Sequence, residues 1–186
     1  SPFIDSLSNN CLVFTEAHAV GPYTQTSFPG ILTSSYYFDY GKSTHLSPQR
    51  LLVSEPLRRA GIVTAAFHSN PYLSEYFGWN RGWDVFYDSM EEEVSDKVPY
   101  VNGEAINRKV NGWLSSHLTG KDYQRFFLWV HFMDIHEPYI PDSEYLKMVS
   151  PAARYSEDEM FLLFKEVLLK RDVSDAKRVE MLRTLY

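Results

Sequence analysis

The pattern of apolar and polar positions along the chain predicts strands that alternate with helices. Residues 126–132 are a run of seven nearly unbroken apolar and aromatic side chains, which is typical of a strand buried on both faces of a parallel sheet. Residues 63–67 and residues 11–17 are two further runs of strand length. We expect Cys11 to be a small buried apolar residue of the strand at 11–17.

Helices are predicted from capping residues and from the spacing of apolar positions. Ser54, followed two residues later by Pro56, is typical of a helix N-terminus. Residues 106–118 carry apolar side chains at helical spacing, so one face of that helix is expected to pack against the sheet. Ser156 and Glu159 have the spacing of a capping box and predict a further helix.

The order of these elements predicts an α/β fold with a mostly parallel sheet flanked by helices. After Pro151 the pattern becomes helical. We therefore expect residues 1–150 to form an α/β domain and residues 151–186 to be a helical continuation of the same domain. Residues 70–102 form a connection rich in Tyr, Trp and acidic residues, long enough to carry function.

Composition excludes several classes of protein. Apolar residues make up 44% of the chain, which is enough for a packed core. The net charge of −6 argues against a nucleic-acid-binding face, which would be basic. No apolar run approaches the roughly 18 residues of a membrane span, so no membrane partner is predicted. A single cysteine allows no internal disulfide and weakly favours a reducing compartment, such as the cytoplasm.

A polar loop with Asp134, His136 and Pro138 follows the predicted strand at 126–132. In open α/β sheets the loops at the carboxyl ends of strands bind ligands, so His136 is a candidate site residue. The alternative is that His136 only closes a turn with Asp134. Asp134 is either the residue that orients this loop or a simple turn residue, and the turn is the favoured reading.

A second candidate, Thr24, lies in a glycine- and proline-containing loop after the predicted strand at 11–17. This loop is expected to deliver Thr24 to the start of a short helix. Unsatisfied N–H groups and the positive end of the helix dipole there favour an attacking alkoxide and an anionic substrate. The alternative is that Thr24 is an ordinary N-cap.

Five motifs in sequence order resemble those of the sulfatase branch of the alkaline phosphatase superfamily. Residues 1–7 are similar to its PN-hydrophobic-DxL stretch, and residues 24–34 are similar to its nucleophile loop. Residues 57–74 resemble its LxxAGYxTAAFxxNPYLS stretch, and residues 78–86 resemble the Gly/Trp-rich segment that follows it. Residues 126–139 resemble FFLWVHFxDPHxPY. The resemblance implies an incomplete alkaline-phosphatase-like core and a small-molecule ester as substrate.

The resemblance also implies roles for particular residues. Thr24 stands at the nucleophile position and would ligate a divalent metal (Ca²⁺, Mg²⁺, Mn²⁺ or Zn²⁺) in an intact chain, which activates its hydroxyl. His136 would donate a hydrogen bond to a substrate oxygen, and Asn70 and Asp134 would belong to the substrate-binding site. Tyr23 would pack beside the nucleophile.

Threonine at position 24 changes the expected chemistry. Sulfatases oxidise a cysteine or serine at this position to formylglycine, and threonine cannot give that aldehyde. We therefore expect the intact enzyme to prefer phosphate mono- or diesters to sulfate esters. Phe28 stands where the family has an arginine, and the family's K-x-H pair is absent near Asn70, where His68 is a further candidate. The alternative function is a non-catalytic fragment or pseudo-enzyme that acts as an interaction module.

We interpret the sequence as an internal fragment, because the family's acidic metal ligands lie outside the matching region. Its six histidines show no metal-binding spacing. We expect neither a bound metal nor activity in this fragment alone, and we expect self-association through exposed fragment surface. We also expect Thr24 and His136 to lie at the same end of the sheet, because both follow predicted strands.

Overall fold

The computed structural model describes residues 2–117, 125–171 and 174–185. The chain folds into two compact units, Ser1–Val53 and Ser54–Tyr186. The domain boundary that the sequence predicts at residue 150 stays a prediction.

The first unit is built from short helices. Helix α1 is Pro2–Ser8, helix α2 is Thr24–Thr33, and a 3-10 helix spans Tyr37–Tyr40. Helix α2 buries Thr26, Pro29 and Leu32. The helix ends at Thr33, because the next residue, Ser34, has a left-handed backbone (φ 50°).

Arg50 fixes the chain that follows α2. Its guanidinium donates hydrogen bonds to the carbonyl oxygens of Tyr36 (2.9 Å) and Tyr37 (2.8 Å) and to the Ser35 hydroxyl. The same group lies 4.8 Å from the centre of the Tyr40 ring. Although Arg50 is buried, its charge is thus compensated by backbone acceptors and an aromatic face.

The second unit contains a parallel sheet. Its strands are β1 (Val63–His68), β2 (Val85–Tyr87) and β3 (Phe126–His131), in the order β2-β1-β3. Both pairings are parallel. The predicted α/β class with a mostly parallel sheet is therefore confirmed.

One face of the sheet packs on helix α4 (Gly103–His117). The buried core there combines side chains of the sheet, the helix and the segment before it: Ala65, Phe67, Val101, Ile106 and Val110. This confirms the predicted helix and its apolar stripe, although residue 118 lies outside the described residues.

The opposite face carries a row of aromatic rings. Trp83 stacks on Phe127 (5.8 Å between ring centres) and on Trp129 (5.9 Å), and Trp129 stacks on His68 (6.1 Å). Strand β3 is half-buried, with Phe126 38% exposed, so the prediction that it is buried on both faces is wrong. In the sheet as described, β3 pairs only with β1, and an edge strand is less covered than a central one.

The predicted strand at residues 11–17 is also wrong, because that segment is irregular in the structure. Cys11 is exposed, as are Leu12 (89%) and Phe14 (80%). An apolar run becomes a strand only where its N–H and C=O groups pair with a neighbour. Among the described residues, only β1, β2 and β3 pair in this way.

The remaining elements are short. They are α3 (Ser54–Arg59), 3-10 helices Pro71–Leu73, Glu75–Phe77 and Ser89–Glu91, α5 (Ser143–Val149), α6 (Glu157–Leu163), a π-helix Phe164–Leu169, and α7 (Ala176–Leu185). The predicted capping box is confirmed, since Ser156 N donates to Glu159 Oε2 (2.7 Å) and Glu159 N donates to Ser156 Oγ (3.2 Å). Within the described residues, each helix is too short or too polar to cross a bilayer.

Candidate functional site

Strands β1 and β3 run in the same direction and end side by side. Their last residues, His68 and His131, are register partners. The hydroxyl of Ser69 donates to the carbonyl oxygen of His131 (3.3 Å), which ties the two strand ends together. The loops after these strands therefore emerge at one edge of the sheet, where ligands bind in open parallel sheets.

His136 lies in the loop after β3 and presents its ring to solvent. Its backbone N–H donates to the carbonyl oxygen of Met133 (2.8 Å), and its side chain is 49% exposed. Nδ1 lies 2.7 Å from the carbonyl oxygen of Glu137. Because a carbonyl oxygen only accepts, Nδ1 carries the proton, and Nε2 is the nitrogen left to face a ligand.

Asp134 connects the same loop to helix α4. Its Oδ1 accepts a hydrogen bond from the backbone N–H of Gly103 (2.7 Å), the first residue of α4. A carboxylate at this end of a helix is stabilised by the helix dipole. A Cβ on Gly103 would lie 2.8 Å from Asp134 Oδ2, so the contact leaves no room for a side chain there. Asp134 therefore does more than close a turn, while its predicted contact with substrate stays a prediction.

Tyr100 makes a second contact with this loop. Its hydroxyl donates to the carbonyl oxygen of His136 (3.0 Å), and the two rings meet edge to face at 6.4 Å. Burial, with smaller contributions from the charges of Asp134 and Glu137, raises the pKa of Tyr100 to about 12. Neither Tyr100 nor Gly103 was singled out by the sequence; the only signal was the length of the tyrosine-rich connection that contains Tyr100.

The end of β1 and the first two residues of the loop after it are buried. His68 is fully buried, and its Nδ1 lies 3.1 Å from the carbonyl oxygen of Asn70. Burial lowers the pKa of His68 to about 4, and the nearby charge of Asp88 opposes this shift only in part. Its Nε2 has no hydrogen-bond partner among the described residues. Asn70 is 3% exposed and its Oδ1 accepts from Tyr72 N (3.0 Å), so it caps the 3-10 helix Pro71–Leu73; its predicted contact with substrate stays a prediction.

Thr24 lies in the first unit, as the first residue of α2, where the sequence predicts it. The carbonyl oxygen of Tyr23 accepts the N–H groups of Thr26 and Ser27 (3.0 Å each), and the Tyr23 side chain is 58% exposed. Gly21 approaches this turn so closely that a Cβ there would lie 2.8 Å from the backbone carbon of Thr26. Thr24 is half-buried at the helix N-terminus, next to N–H groups that the helix itself cannot satisfy.

The predicted proximity of Thr24 and His136 stays a prediction, because these residues belong to separately described units. In residues 2–117, 125–171 and 174–185, no three His, Cys, Asp or Glu side chains are grouped to hold a metal ion. A single threonine hydroxyl falls short of the six to eight oxygen ligands typical of Ca²⁺, or the octahedral set of Mg²⁺. The described residues therefore do not fit a complete metal site by themselves.

The protein is therefore an α/β protein with a parallel sheet, and candidate site residues lie in the loops at its strand ends. The chain matches the family model of the sulfatases over residues 1–168, and it belongs to the sulfatase family. Members of this family hydrolyse small-molecule esters and generally use a divalent metal. The membership supports a hydrolase of the sulfatase and alkaline phosphatase superfamily. No curated protein matches the chain.

Proposed function

We propose that the protein is an ester hydrolase that prefers phosphate esters to sulfate esters, with Thr24 as its nucleophile. One observation carries this proposal: a threonine begins helix α2 in a sulfatase-family chain, at the position where the family's nucleophile is expected. The branched Cβ of threonine yields a ketone on oxidation, so the formylglycine route to sulfate esters is closed. A direct attack by the hydroxyl remains open.

In the proposed reaction, the Thr24 oxygen forms a bond to phosphorus while the bond from phosphorus to the leaving oxygen breaks. The hydroxyl proton leaves to solvent, and water then cleaves the phosphothreonine. The N-terminus of α2 favours the anionic phosphoryl group, because the positive end of the helix dipole lies at Thr24. Phosphorus centres suit this route, since hydrogen-bond donors can stabilise the charge on their equatorial oxygens.

His136 is proposed to protonate or hydrogen-bond the leaving oxygen. Because Nδ1 donates to the Glu137 carbonyl, Nε2 is a donor only when the ring is an imidazolium. The carboxylate of Glu137 lies 3.7 Å from Nδ1. Asn70, Asp134 and Tyr23 are retained as proposed neighbours of the substrate.

When bound, a divalent metal supplies a Lewis acid at the nucleophile, and Thr24 is proposed as one of its ligands. Within the described residues, no three His, Cys, Asp or Glu side chains are grouped to supply the remaining ligands. The proposed roles of Thr24 and His136 are therefore limited to attack and to proton donation.

The test compares turnover of an aryl phosphate, an aryl phosphodiester and an aryl sulfate by the full-length protein in the presence of divalent metals. We expect faster cleavage of a phosphate ester than of the sulfate, and a steep fall in kcat for Thr24→Ala with unchanged folding. Thr24→Ser should keep phosphate activity. Thr33→Ala, at the other end of the same helix, is the matched control and should retain activity. Faster turnover of the sulfate, or full activity of Thr24→Ala, would contradict the proposal.

A non-catalytic interaction module is the second candidate. It is favoured by the lack of a metal-ligand cluster in the described residues and by exposed apolar side chains at Leu12 (89%) and Phe14 (80%), which also suit self-association. Absence of turnover on all three substrates with every divalent metal, together with concentration-dependent dimerisation in sedimentation experiments, would support this second candidate.

A further inference from the structure

We propose that Tyr100, Gly103 and Asp134 are positioning residues that hold the His136 ring in a single orientation at the edge of the sheet. This inference rests on the proposed function for its catalytic meaning, but the positioning itself can be measured without activity.

Two hydrogen bonds fix the loop on both sides of Ile135. Asp134 Oδ1 accepts from Gly103 N (2.7 Å), and the carbonyl oxygen of His136 accepts from the Tyr100 hydroxyl (3.0 Å). One contact is made by the side chain of Asp134, two residues before His136, and the other by the backbone carbonyl of His136 itself. They hold the backbone from which the ring projects.

Both partners belong to one short segment that is anchored in the core. Tyr100 and Gly103 are three residues apart, and Val101 between them is 6% exposed. Gly103 begins helix α4, whose Ile106 is fully buried against the sheet. The loop is therefore held by an element whose own position is set by core packing.

An exposed ring needs such support. The His136 side chain is 49% exposed, so side-chain packing alone leaves it free to change rotamer. The edge-to-face contact with Tyr100 and the bond from Nδ1 to the Glu137 carbonyl limit this freedom. A catalytic group held in its reactive geometry avoids the entropic loss of finding that geometry in every turnover.

The Tyr100 contact stays intact across the physiological range of pH. With its pKa raised to about 12 by burial and by the negative charges of Asp134 and Glu137, the hydroxyl remains protonated and remains a donor. A phenylalanine at position 100 would keep the ring edge and remove only this donor.

The first experiment compares Tyr100→Phe with Tyr145→Phe, an exposed tyrosine on α5 that serves as the control. Selective ¹⁵N labelling of histidine reports the tautomer and the mobility of the His136 ring by NMR. We expect Tyr100→Phe to give mixed tautomers or a more mobile ring, and to lower kcat by about tenfold with little change in KM. Tyr145→Phe should leave both measurements at their wild-type values.

The second experiment acts on the other contact. Gly103→Ala places a Cβ 2.8 Å from Asp134 Oδ2 and forces the carboxylate away, whereas Gly112→Ala on the same helix meets no atom within 4 Å. We expect the ring signals of His136 to change in Gly103→Ala and not in Gly112→Ala, with both proteins folded by circular dichroism. Asp134→Asn keeps an acceptor oxygen and should give a smaller change than Gly103→Ala.

Unchanged His136 signals in both Tyr100→Phe and Gly103→Ala would overturn the positioning. Changed signals with unchanged turnover would support the positioning and instead count against the proposed role of His136 in catalysis.

Discussion

Two histidines, His68 at the end of β1 and His136 in the loop after β3, lie in opposite environments. Each has an Nδ1 near a backbone carbonyl oxygen: 3.1 Å for His68 with Asn70, and 2.7 Å for His136 with Glu137. His68 is fully buried, whereas His136 is 49% exposed. The difference shows that a position at the carboxyl end of a parallel strand does not by itself make a histidine a site residue.

Burial decides what each ring can do. His68 lies against the rings of Phe86 (5.1 Å) and Trp129 (6.1 Å), and desolvation lowers its pKa to about 4. It is therefore neutral near pH 7 and has no proton to give at Nε2. His136 is open to solvent beside the Glu137 carboxylate, so it can meet a substrate.

The position of each strand in the sheet accounts for this contrast. Strand β1 lies between β2 and β3. The chain that follows it forms the 3-10 helix Pro71–Leu73, which Asn70 caps. Strand β3 pairs with β1 alone among the described strands, and the loop after it reaches solvent. His68 therefore ends a central strand and is enclosed, whereas His136 lies in the loop after β3 and is accessible.

The largest effect that would test this contrast is expected at His136. His136→Gln removes the group proposed to protonate the leaving oxygen, since an amide is not an acid, and general acid catalysis typically contributes about 10²–10⁴-fold in rate. Thermal unfolding should be unchanged, because the side chain is exposed. The measurement is kcat on an aryl phosphate with the full-length protein, and His45→Gln, another exposed histidine, is the control. Equal activities of His136→Gln and wild type would contradict the proposal that His136, unlike His68, acts on the substrate.

His68 should instead control stability, and in a pH-dependent manner. Its pKa is 6.5 in the unfolded chain and about 4 in the folded one, so the unfolded state binds a proton first as the pH falls. The folded state should lose about 3 kcal/mol of stability between pH 6.5 and pH 4 from this group alone. Urea unfolding at several pH values measures the loss.

In His68→Gln this part of the pH dependence should disappear, because glutamine does not titrate. If wild type and His68→Gln lost stability in parallel from pH 6.5 to pH 4, the burial of His68 would not have the proposed consequence.

Asn70 tests whether the loop after β1 is only structural. Asn70→Ala removes the oxygen that accepts Tyr72 N and should cost about 2 kcal/mol of folding free energy, since a backbone donor loses its partner. Asn70→Ser keeps a capping oxygen and should cost less. Denaturant unfolding gives the stability, and kcat on the same samples gives the function. A loss of kcat in Asn70→Ser at near-normal stability would instead favour the predicted contact with substrate.

The smallest effect is expected at the start of α6. Ser156→Ala removes the capping oxygen of α6 and should lower Tm by about 2–4 °C. Activity should not change, because α6 contributes no proposed site residue. Ser156→Thr, which keeps the hydroxyl, should retain most of the wild-type Tm. A fall in kcat for Ser156→Ala at temperatures where the protein is folded would show that this segment bears on the site.

The sequence by itself determined those features that depend on neighbouring residues. The apolar runs predicted strands β1 and β3, the spacing of apolar positions predicted α4, and Ser156 with Glu159 predicted the start of α6. Propensity, periodicity and capping act over a few residues, so they can be read along the chain. Ordered motifs likewise indicated the sulfatase family.

Only the tertiary structure decided which of these residues are enclosed and which contact one another. The apolar run at 11–17 forms no strand, His68 is buried while His136 is exposed, and Asp134 reaches Gly103 across 31 positions of sequence. Burial and long-range hydrogen bonds depend on what other segments place beside a residue, and no local pattern contains that information. For this reason the sequence pointed to His136, whereas its contact with Tyr100 emerged only from the fold.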